Sequence, residues 1–465
     1  MKTTLLLSMA ATPLAAFAQQ KPNIVIYIAD DHGCLQSEPY GDTFVRTPNM
    51  ARLANEGMTF DQAFVASPAS GPSRAALLSG LMPARNGAEA NHTTPRADTQ
   101  ILVKRLQDLG YEVAAIGKIA HGKEQADMNH FDYLQITGNI REKLAGTVKA
   151  YLDKRTSQKP LCLLVGDRRP HVSWIEQNIY DTSRITLPDY LIDTPETREH
   201  WGRYLTDITG LDESIGQVDK YAEEYFGNRN YLFIYTADHG AQWPFGKWNL
   251  YDKGTRTAML ARWKGKIEPG TRTAAMVSWI DLMPTLIDIA GGKPVENIDG
   301  KSFREVLFNK DKKHREIIYT THTNDGNMNV YPMRAVRTEK YKYIRNLLPD
   351  CYHSNHSDIH RKDGAGAYWD SWDEAARTDK EAAEKIRHYY QRPAEEFYDI
   401  VNDPDEKHNL ADNPAYKEEM QRMSVLLDKW MSDQGDTQRL TKKPYPLSGP
   451  TPHECNLKKE PKKKK

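Results

Sequence analysis

Two short apolar runs end in acids: "PNIVIYIADD" (22–31) closes on Asp30 and Asp31, and "YLFIYTADHG" (231–240) leads into Asp238 and His239. Three carboxylates arriving from two separate strands repel one another unless a cation lies between them, and hard oxygen donors suit Ca²⁺ or Mg²⁺. A third feature is "SPASGPSRAALLSG" (67–80). Gly71-Pro72-Ser73-Arg74 reads as the opening turn of a helix that continues to Gly80, which puts Ser70 at its N-terminal end, where backbone N–H groups favour an anion. Arg74 adds a fixed positive charge with bidentate reach for an oxyanion. Further basic groups stand at strand ends or in loops: Lys118 and His121 in "GKIAHG", His171 in "RRPH", and Lys247 in "FGKWNLYDKG". Singly, each is more often solvated or structural. An anion-binding pocket built around a metal accounts for all of them together.

The elements that must position these groups follow from pattern. The runs at 22–31, in "PLCLLVGDRRPH" and in "YLFIYTADHG" read as strands buried on both faces of a parallel sheet, each followed by a polar tip. A helix is predicted at "TPNMARLANEG", with Thr47 as cap, Pro48 in the first turn and Gly57 at the end. "QILVKRLQDLG" has i, i+3, i+4 apolar spacing, and "YEVAAIGK" reads as the next strand. Strands alternating with helices predict an α/β fold with a doubly wound, mainly parallel sheet, ligands binding at the carboxyl ends of its strands. From about residue 330 the pattern changes. "PMRAVRT" and "KYKYIRN" form a predicted hairpin, and helices near 379–390 and 414–433 flank the strand-like "EFYDI", giving a smaller α+β subdomain. The expected division is 19–330 for the catalytic domain, 331–456 for the subdomain and 457–465 for a basic tail.

The chain of 465 residues can bury a sizeable core, and its 63 basic and 63 acidic side chains leave no global field pointing to nucleic acid. "MKTTLLLSMAATPLAAFAQQ" reads as a signal peptide over 1–18, with Ala16-Phe17-Ala18 before the cleavage point, so export is expected. No later apolar run reaches the length of a membrane span. Cys34, Cys162, Cys351 and Cys455 form no CxxC pair and imply neither a zinc site nor a disulfide framework, leaving one long-range pairing open. The terminal "KKEPKKKK" reads as a solvated tail.

These motifs resemble the type I sulfatase family. "SGPSRAALLSG" is similar to its signature, Cys or Ser followed by x-Pro-Ser-Arg. "NIVIYIADD", "TPNMARLANEGMTF", "GYEVAAIGK", "RPH", "TADHG", "GKWNLYDKGTR" and "FYDIVNDPDEKHNLA" follow in family order across nearly the whole mature chain. The resemblance implies an alkaline-phosphatase-like α/β fold with a C-terminal subdomain, and a formylglycine made from Ser70 by a maturing enzyme, of the radical type for a serine signature. It assigns Asp30, Asp31, Asp238, His239 and the modified Ser70 to one Ca²⁺. Lys118, Lys247 and Arg74 are implied to neutralise sulfate. The resemblance further implies that one hydroxyl of the hydrated aldehyde would attack sulfur, aided by Asp238, that His171 would donate to the leaving group, and that His121 would take the proton from the second hydroxyl. An ordinary serine would form a sulfate ester that is slow to break. Two features depart from many members and are similar to iduronate sulfatases: His239 stands where Asn is common, and His121 lies three positions after Lys118 rather than two.

The loop "ADHGAQWPFGKWNLY" and the blocks "YPMRAVR" and "RHYYQRPAEEFYD" resemble heparan N-sulfatases, which implies a glucosamine-type substrate of sulfated glycans, N-sulfoglucosamine first. The basic residue of that loop is Lys247 where those enzymes have Arg, and "NGAEANHTTPR" differs, so an O-sulfatase on N-acetylglucosamine or a uronic acid stays open. Glu89, His92, Trp243, His322 and Arg334 are the candidate sugar contacts, Trp243 through stacking of its indole on a sugar face. A two-zinc phosphatase would need a second His and Asp cluster, where lysines stand instead. Ser73 in "GPSRA" makes an imperfect serine-hydrolase elbow. A glycan-binding protein without catalysis remains open if Ser70 is never oxidised.

Overall fold

Along strand β1 (Asn23–Ala29), Ile24, Ile26 and Ile28 enter one hydrophobic core while Val25, Tyr27 and Ala29 enter another. That alternation fixes the architecture, because a strand apolar on both faces must be covered by helices on both sides. The computed structural model describes residues 21–457 apart from 138–140, 228–229, 327 and 363. The segment read as a signal peptide and residues 458–465 of the basic tail lie outside the described residues.

After β1 come β2 (Met58–Phe60), β3 (Ala63–Phe64), β4 (Glu112–Gly117), β5 (Tyr133–Gln135), β6 (Leu161–Gly166) and β7 (Tyr231–Ala237). β8 (Arg256–Thr257), β9 (Met259–Arg262), β10 (Thr271–Thr273) and β11 (Val277–Ser278) follow. Eight of them make one sheet in the order β10-β2-β9-β7-β1-β6-β4-β5, in which only β9 runs antiparallel to its neighbours; β11, β3 and β8 make a small second sheet. One face of the large sheet is covered by Leu77 and Leu78, by Leu102, Val103 and Leu106, and by Leu282, Leu286 and Ile289. The other is covered by Met50 and Leu53, by Leu144 and Val148, and by Leu211, Ile215 and Val218 of the long helix Pro195–Phe226. Each fully buried aliphatic side chain contributes about 1.5–3 kcal/mol.

The predicted helix at residue 48 forms as Pro48–Asn55, but Thr47 does not cap it. Its Oγ accepts from Glu38 N at 2.8 Å, and the Asp212 carboxylate accepts from Asn49 N (3.1 Å) and Met50 N (2.8 Å) instead. A carboxylate from the long helix thus supplies the cap while docking one helix on the other.

The remaining strands, β12 (Ile318–Asp325), β13 (Asn329–Arg337), β14 (Tyr341–Asn346) and β15 (Glu395–Asp399), form an antiparallel sheet in sequence order. The predicted hairpin is β13 and β14, with Val336 opposite Tyr343. Val336, Tyr343 and Phe397 pack on Met423, Leu427 and Met431 of helix Lys417–Gln434. Helix Lys380–Tyr390 is capped by Asp379, which accepts from Glu381 N at 2.8 Å. The four cysteines are all free. Among the described residues no helix is long and apolar enough to cross a membrane.

Candidate active site

β1 lies between β6 and β7, with β4 beyond β6, so the polar segments after four neighbouring parallel strands emerge at one edge. Asp30 and Asp31 follow β1, Arg168 to His171 follow β6, Asp238 and His239 follow β7, and Lys118 follows β4. Two glycines let the ends of β4 and β6 close up: Gly117 has φ 86°, and a Cβ on Gly166 would lie 2.1 Å from the Lys118 carbonyl oxygen. Asp31 also holds φ 68°, a left-handed conformation that Asp tolerates better than most residues. Helix Ser70–Ser79 is buried along its whole length and brings its N-terminal residue, Ser70, to these tips.

Ser70 Oγ donates to Asp30 Oδ1 at 3.2 Å and lies 3.0 Å from His239 Nε2. Arg74 Nε donates to Asp238 Oδ2 at 2.9 Å, its Nη2 to Asp30 Oδ1 at 3.2 Å, and its Nη1 to the Lys118 carbonyl. Lys118 Nζ spans both oxygens of Asp30 at 2.8 and 2.6 Å, and Lys247 Nζ spans those of Asp31 at 2.9 and 2.8 Å. Ser73 contributes from behind: its Oγ donates to the Asp238 carbonyl at 2.7 Å.

Asp31, Asp238 and His239 each offer a donor atom, and the three atoms lie within 4.8 Å of one another, all buried. Asp30, equally buried, faces the same hydroxyl at residue 70. This donor set fits a divalent cation, with carboxylate oxygens for a hard ion and His239 as one nitrogen donor. Charge points the same way. Arg74, Lys118 and Lys247 only balance Asp30, Asp31 and Asp238, so a bound cation would turn a neutral cluster into one that attracts an anion.

Burial alone would raise the pKa of Asp30, but Lys118 above all, then His171, Arg74 and Lys247, hold it well below the carboxylate range. Burial, reinforced by Lys247, pushes His171 well below the usual histidine value. Its Nδ1 lies 2.5 Å from the Val172 carbonyl, which commits that nitrogen as donor and leaves Nε2 facing Asp31 at 3.9 Å. Burial and then Lys118 and His92 push His121 down to about 2.

A cavity of about 530 Å³ opens over this edge, and Lys118, His121, His171 and Lys247 line it. A wider groove of about 830 Å³ between helix Lys143–Lys154 and the β5 edge holds none of these groups. Of the five candidate sugar contacts, His92 lines the cavity. Trp243 does not: it is 1% exposed, stacked between Trp174 at 4.9 Å and Tyr368 at 4.8 Å, so its indole fills the core. His322 is buried against Asn329. Arg334 is buried in an ion pair with Asp436, its Nη1 donating to the His322 carbonyl at 2.8 Å, and half-buried Glu89 lies 3.9 Å from its guanidinium. These three therefore belong to the packing of the C-terminal sheet, where Asp436 already consumes the charge of Arg334. The cavity wall is instead completed by Asn91, Arg168, Trp248, Asp325, Met328 and His356. Trp248 directly follows Lys247 in one loop, a signal available in the sequence; Asp325, at the end of β12, and His356, after β14, come from the C-terminal sheet and its connections and carry no local one.

A doubly wound sheet with clustered acids and basic side chains at its strand ends, and a serine and arginine on an entering helix, defines an α/β protein whose site suits a divalent cation and an anionic group. Residues 22–292 match the Sulfatase family, and residues 239–358 match the family described as N-sulphoglucosamine sulphohydrolase, C-terminal. An ulvan-active sulfatase of Formosa agariphila is 32% identical over 90% of this chain and 81% of its own length. An N-acetylglucosamine-6-O-sulfatase of Bacteroides thetaiotaomicron is 24% identical over 92% and 90%. A solved structure of a protein in complex with its substrate D-glucosamine-2-N,6-O-disulfate superposes with a TM-score of 0.67 at 21% identity, covering 90% of this chain and 99% of that one. The chain belongs to the sulfatase family and is a sulfuric ester hydrolase.

Proposed function

We propose that the protein is an exported, periplasmic or secreted sulfatase that removes sulfate from glucosamine-type residues of sulfated glycans, with N-sulfoglucosamine as the preferred unit. The observation that carries the sugar assignment is that the segment matching the N-sulphoglucosamine sulphohydrolase C-terminal family, 239–358, brings Lys247, Trp248, Asp325 and His356 to the cavity wall.

Formylglycine made from Ser70 would supply an oxygen nucleophile that regenerates itself, and Ca²⁺ would supply charge neutralisation beside it. Asp30, Asp31, Asp238 and His239 are the residues that would hold the ion. Arg74, Lys118 and Lys247 bind the sulfate oxygens and offset charge that develops at sulfur. His171 has only Nε2 free to face the leaving group, so it donates there as imidazolium, a form that the negative charge of bound sulfate favours. His121, in the wall of the same cavity, is the proposed acceptor of the second hydroxyl's proton.

The mature protein, incubated with N-sulfoglucosamine and with 6-O- and 3-O-sulfated N-acetylglucosamine, releases sulfate fastest from the N-sulfated sugar. Cleavage of an O-sulfated sugar with the N-sulfated one untouched would overturn the assignment. That outcome is the second reading, an O-sulfatase, and the 24% identity to an N-acetylglucosamine-6-O-sulfatase across nearly both chains favours it. Mass spectrometry of protein from its native host checks Ser70 separately, through the loss of two hydrogen atoms at that residue.

A further inference from the structure

We infer that Asp325 and His92 form a directional hydrogen-bond relay that fixes the tautomer of His121, leaving His121 Nδ1 as the unprotonated acceptor. Asp325 and His92 are positioning residues, and their catalytic consequence rests on the reading of His121 as a proton acceptor.

Three loops from distant parts of the chain are tied together to make the relay. Asn91 N donates to the Asn324 carbonyl at 2.9 Å and Asn91 Nδ2 to Asp325 Oδ2 at 2.9 Å, so the loop carrying His92 is pinned to the end of β12. Gln125 accepts from His121 N at 3.0 Å and donates to the Thr93 carbonyl at 2.6 Å, pinning the His121 loop to the same segment. His92 Nδ1 then lies 2.9 Å from His121 Nε2, and His92 Nε2 lies 3.3 Å from Asp325 Oδ1.

Proton accounting gives the relay its direction. An ionised carboxylate only accepts. Asp325 Oδ2 already takes Trp248 Nε1 at 2.8 Å and Asn91, while the buried Oδ1 makes no hydrogen bond among the described residues and has His92 Nε2 beside it at ion-pair distance, 3.3 Å. A lone pair on His92 Nε2 would face that carboxylate oxygen and be repelled, so the single proton of a neutral His92 belongs on Nε2. A neutral imidazole with a proton on Nε2 has its lone pair on Nδ1, so His121 donates from Nε2. That leaves the lone pair of His121 on Nδ1, an atom that is buried and unpartnered. Burial raises the carboxyl pKa of Asp325, but the His92 hydrogen bond, Lys247 and Asn91 outweigh it and keep the group anionic. A proton taken at Nδ1 converts His121 to an imidazolium whose Nε2–H still has an acceptor in His92. Burial, Lys118, His92 and Arg74 oppose that charge, and Asp30 favours it.

Asp325→Asn reverses the polarity without changing shape. The amide oxygen can still take the Trp248 and Asn91 bonds, but the amide NH₂ then donates toward His92, which must place its proton on Nδ1 and force His121 to hold its own on Nδ1. Imidazole ¹⁵N spectra of the full chain at about pH 8.5, above the ordinary histidine range, read the tautomer directly. The expected result is an Nε2-protonated His121 in the wild type and an Nδ1-protonated one in Asp325→Asn. The turnover number falls in that variant on the order of 10²- to 10⁴-fold with KM little changed. His92→Gln, whose amide can accept from His121 and donate to Asp325, retains most activity, and His92→Phe loses it. A wild-type His121 protonated on Nδ1, or an Asp325→Asn protein with unchanged tautomer and kcat, would overturn the relay. The spectra decide this without turnover, and kcat is read on an aryl sulfate, so a failed sugar assignment shows only in the sugar panel.

Discussion

Ser70 and Ser73 stand three residues apart on one helix, both buried, and alanine at each should have opposite effects. Ser70→Ala deletes contacts of 3.2 Å to Asp30 and 3.0 Å to His239, but Asp30 keeps Lys118 at 2.6 Å and Arg74 at 3.2 Å. Its stability should therefore change by no more than about 1 kcal/mol. Its activity should fall by on the order of 10⁵-fold or more, because the proposed nucleophile is made from this residue. Ser73→Ala deletes a 2.7 Å hydrogen bond between two fully buried residues, leaving the Asp238 carbonyl without this donor, and should cost about 1–3 kcal/mol. The Asp238 carboxylate stays anchored by Arg74 Nε at 2.9 Å and by Asp31 N at 3.1 Å, so turnover should fall only about tenfold. Sulfate release is measured per molecule carrying a modified residue 70, counted by mass spectrometry, since the proposed maturation of Ser70 would also read Ser73. Denaturant unfolding of the two variants beside the wild type gives the stability half. Measurable turnover in Ser70→Ala, or a Ser73→Ala protein as inactive as Ser70→Ala when normalised in this way, refutes the division of roles.

Trp243→Ala should lower stability by about 3–5 kcal/mol, since it empties the stack between Trp174 and Tyr368, while Trp243→Phe leaves KM for the sugar unchanged; calorimetry and steady-state kinetics separate the two. Chelation of divalent metal should abolish sulfate release and lower the unfolding midpoint, with Ca²⁺ restoring both. At 100 times its dissociation constant the ion would stabilise by about 2.7 kcal/mol, and Asp31→Asn should weaken its binding in a direct titration. Acid should destabilise the protein below the usual histidine range. Burial lowers the folded pKa of His322 to about 4, and burial with Arg392 holds that of His353 well below the usual histidine value. Unfolding therefore takes up protons: the stabilisation is present above pH ~6.5 and is lost as pH falls toward the folded values, on the order of 1–3 kcal/mol for His322. His322→Asn should flatten the pH dependence of the unfolding free energy, and an unchanged slope would count against the burial reading.

The strand tips are legible in the sequence because a strand buried on both faces has no place for a charge until it leaves the sheet. Asp30, Asp31, Asp238 and His239 each follow an uninterrupted apolar run, and parallel pairing carries them to one edge without any knowledge of distant residues. Ser70 and Arg74 are legible for a similar reason, since the helix opening at Gly71-Pro72 fixes their spacing. The indoles are not. Trp243 and Trp248 sit in the same loop with similar neighbours, and their fates are set by partners far away in sequence: Trp174, Trp201 and Tyr368 around one, Asp325 and His356 beside the other. Arg334 is hidden for a different reason, because β13 is buried at every position and alternation cannot say which face meets the cavity. Direction of proton donation is harder still to foresee. His121 is visible as a basic group near Lys118, yet which of its nitrogens holds the proton depends on a carboxylate about 200 residues further along the chain, whose own proton count depends on burial and on Trp248 and Asn91. Residue type and spacing therefore identify the groups that gather at the site, while their protonation and orientation are decided by contacts that exist only once both halves of the chain have folded together.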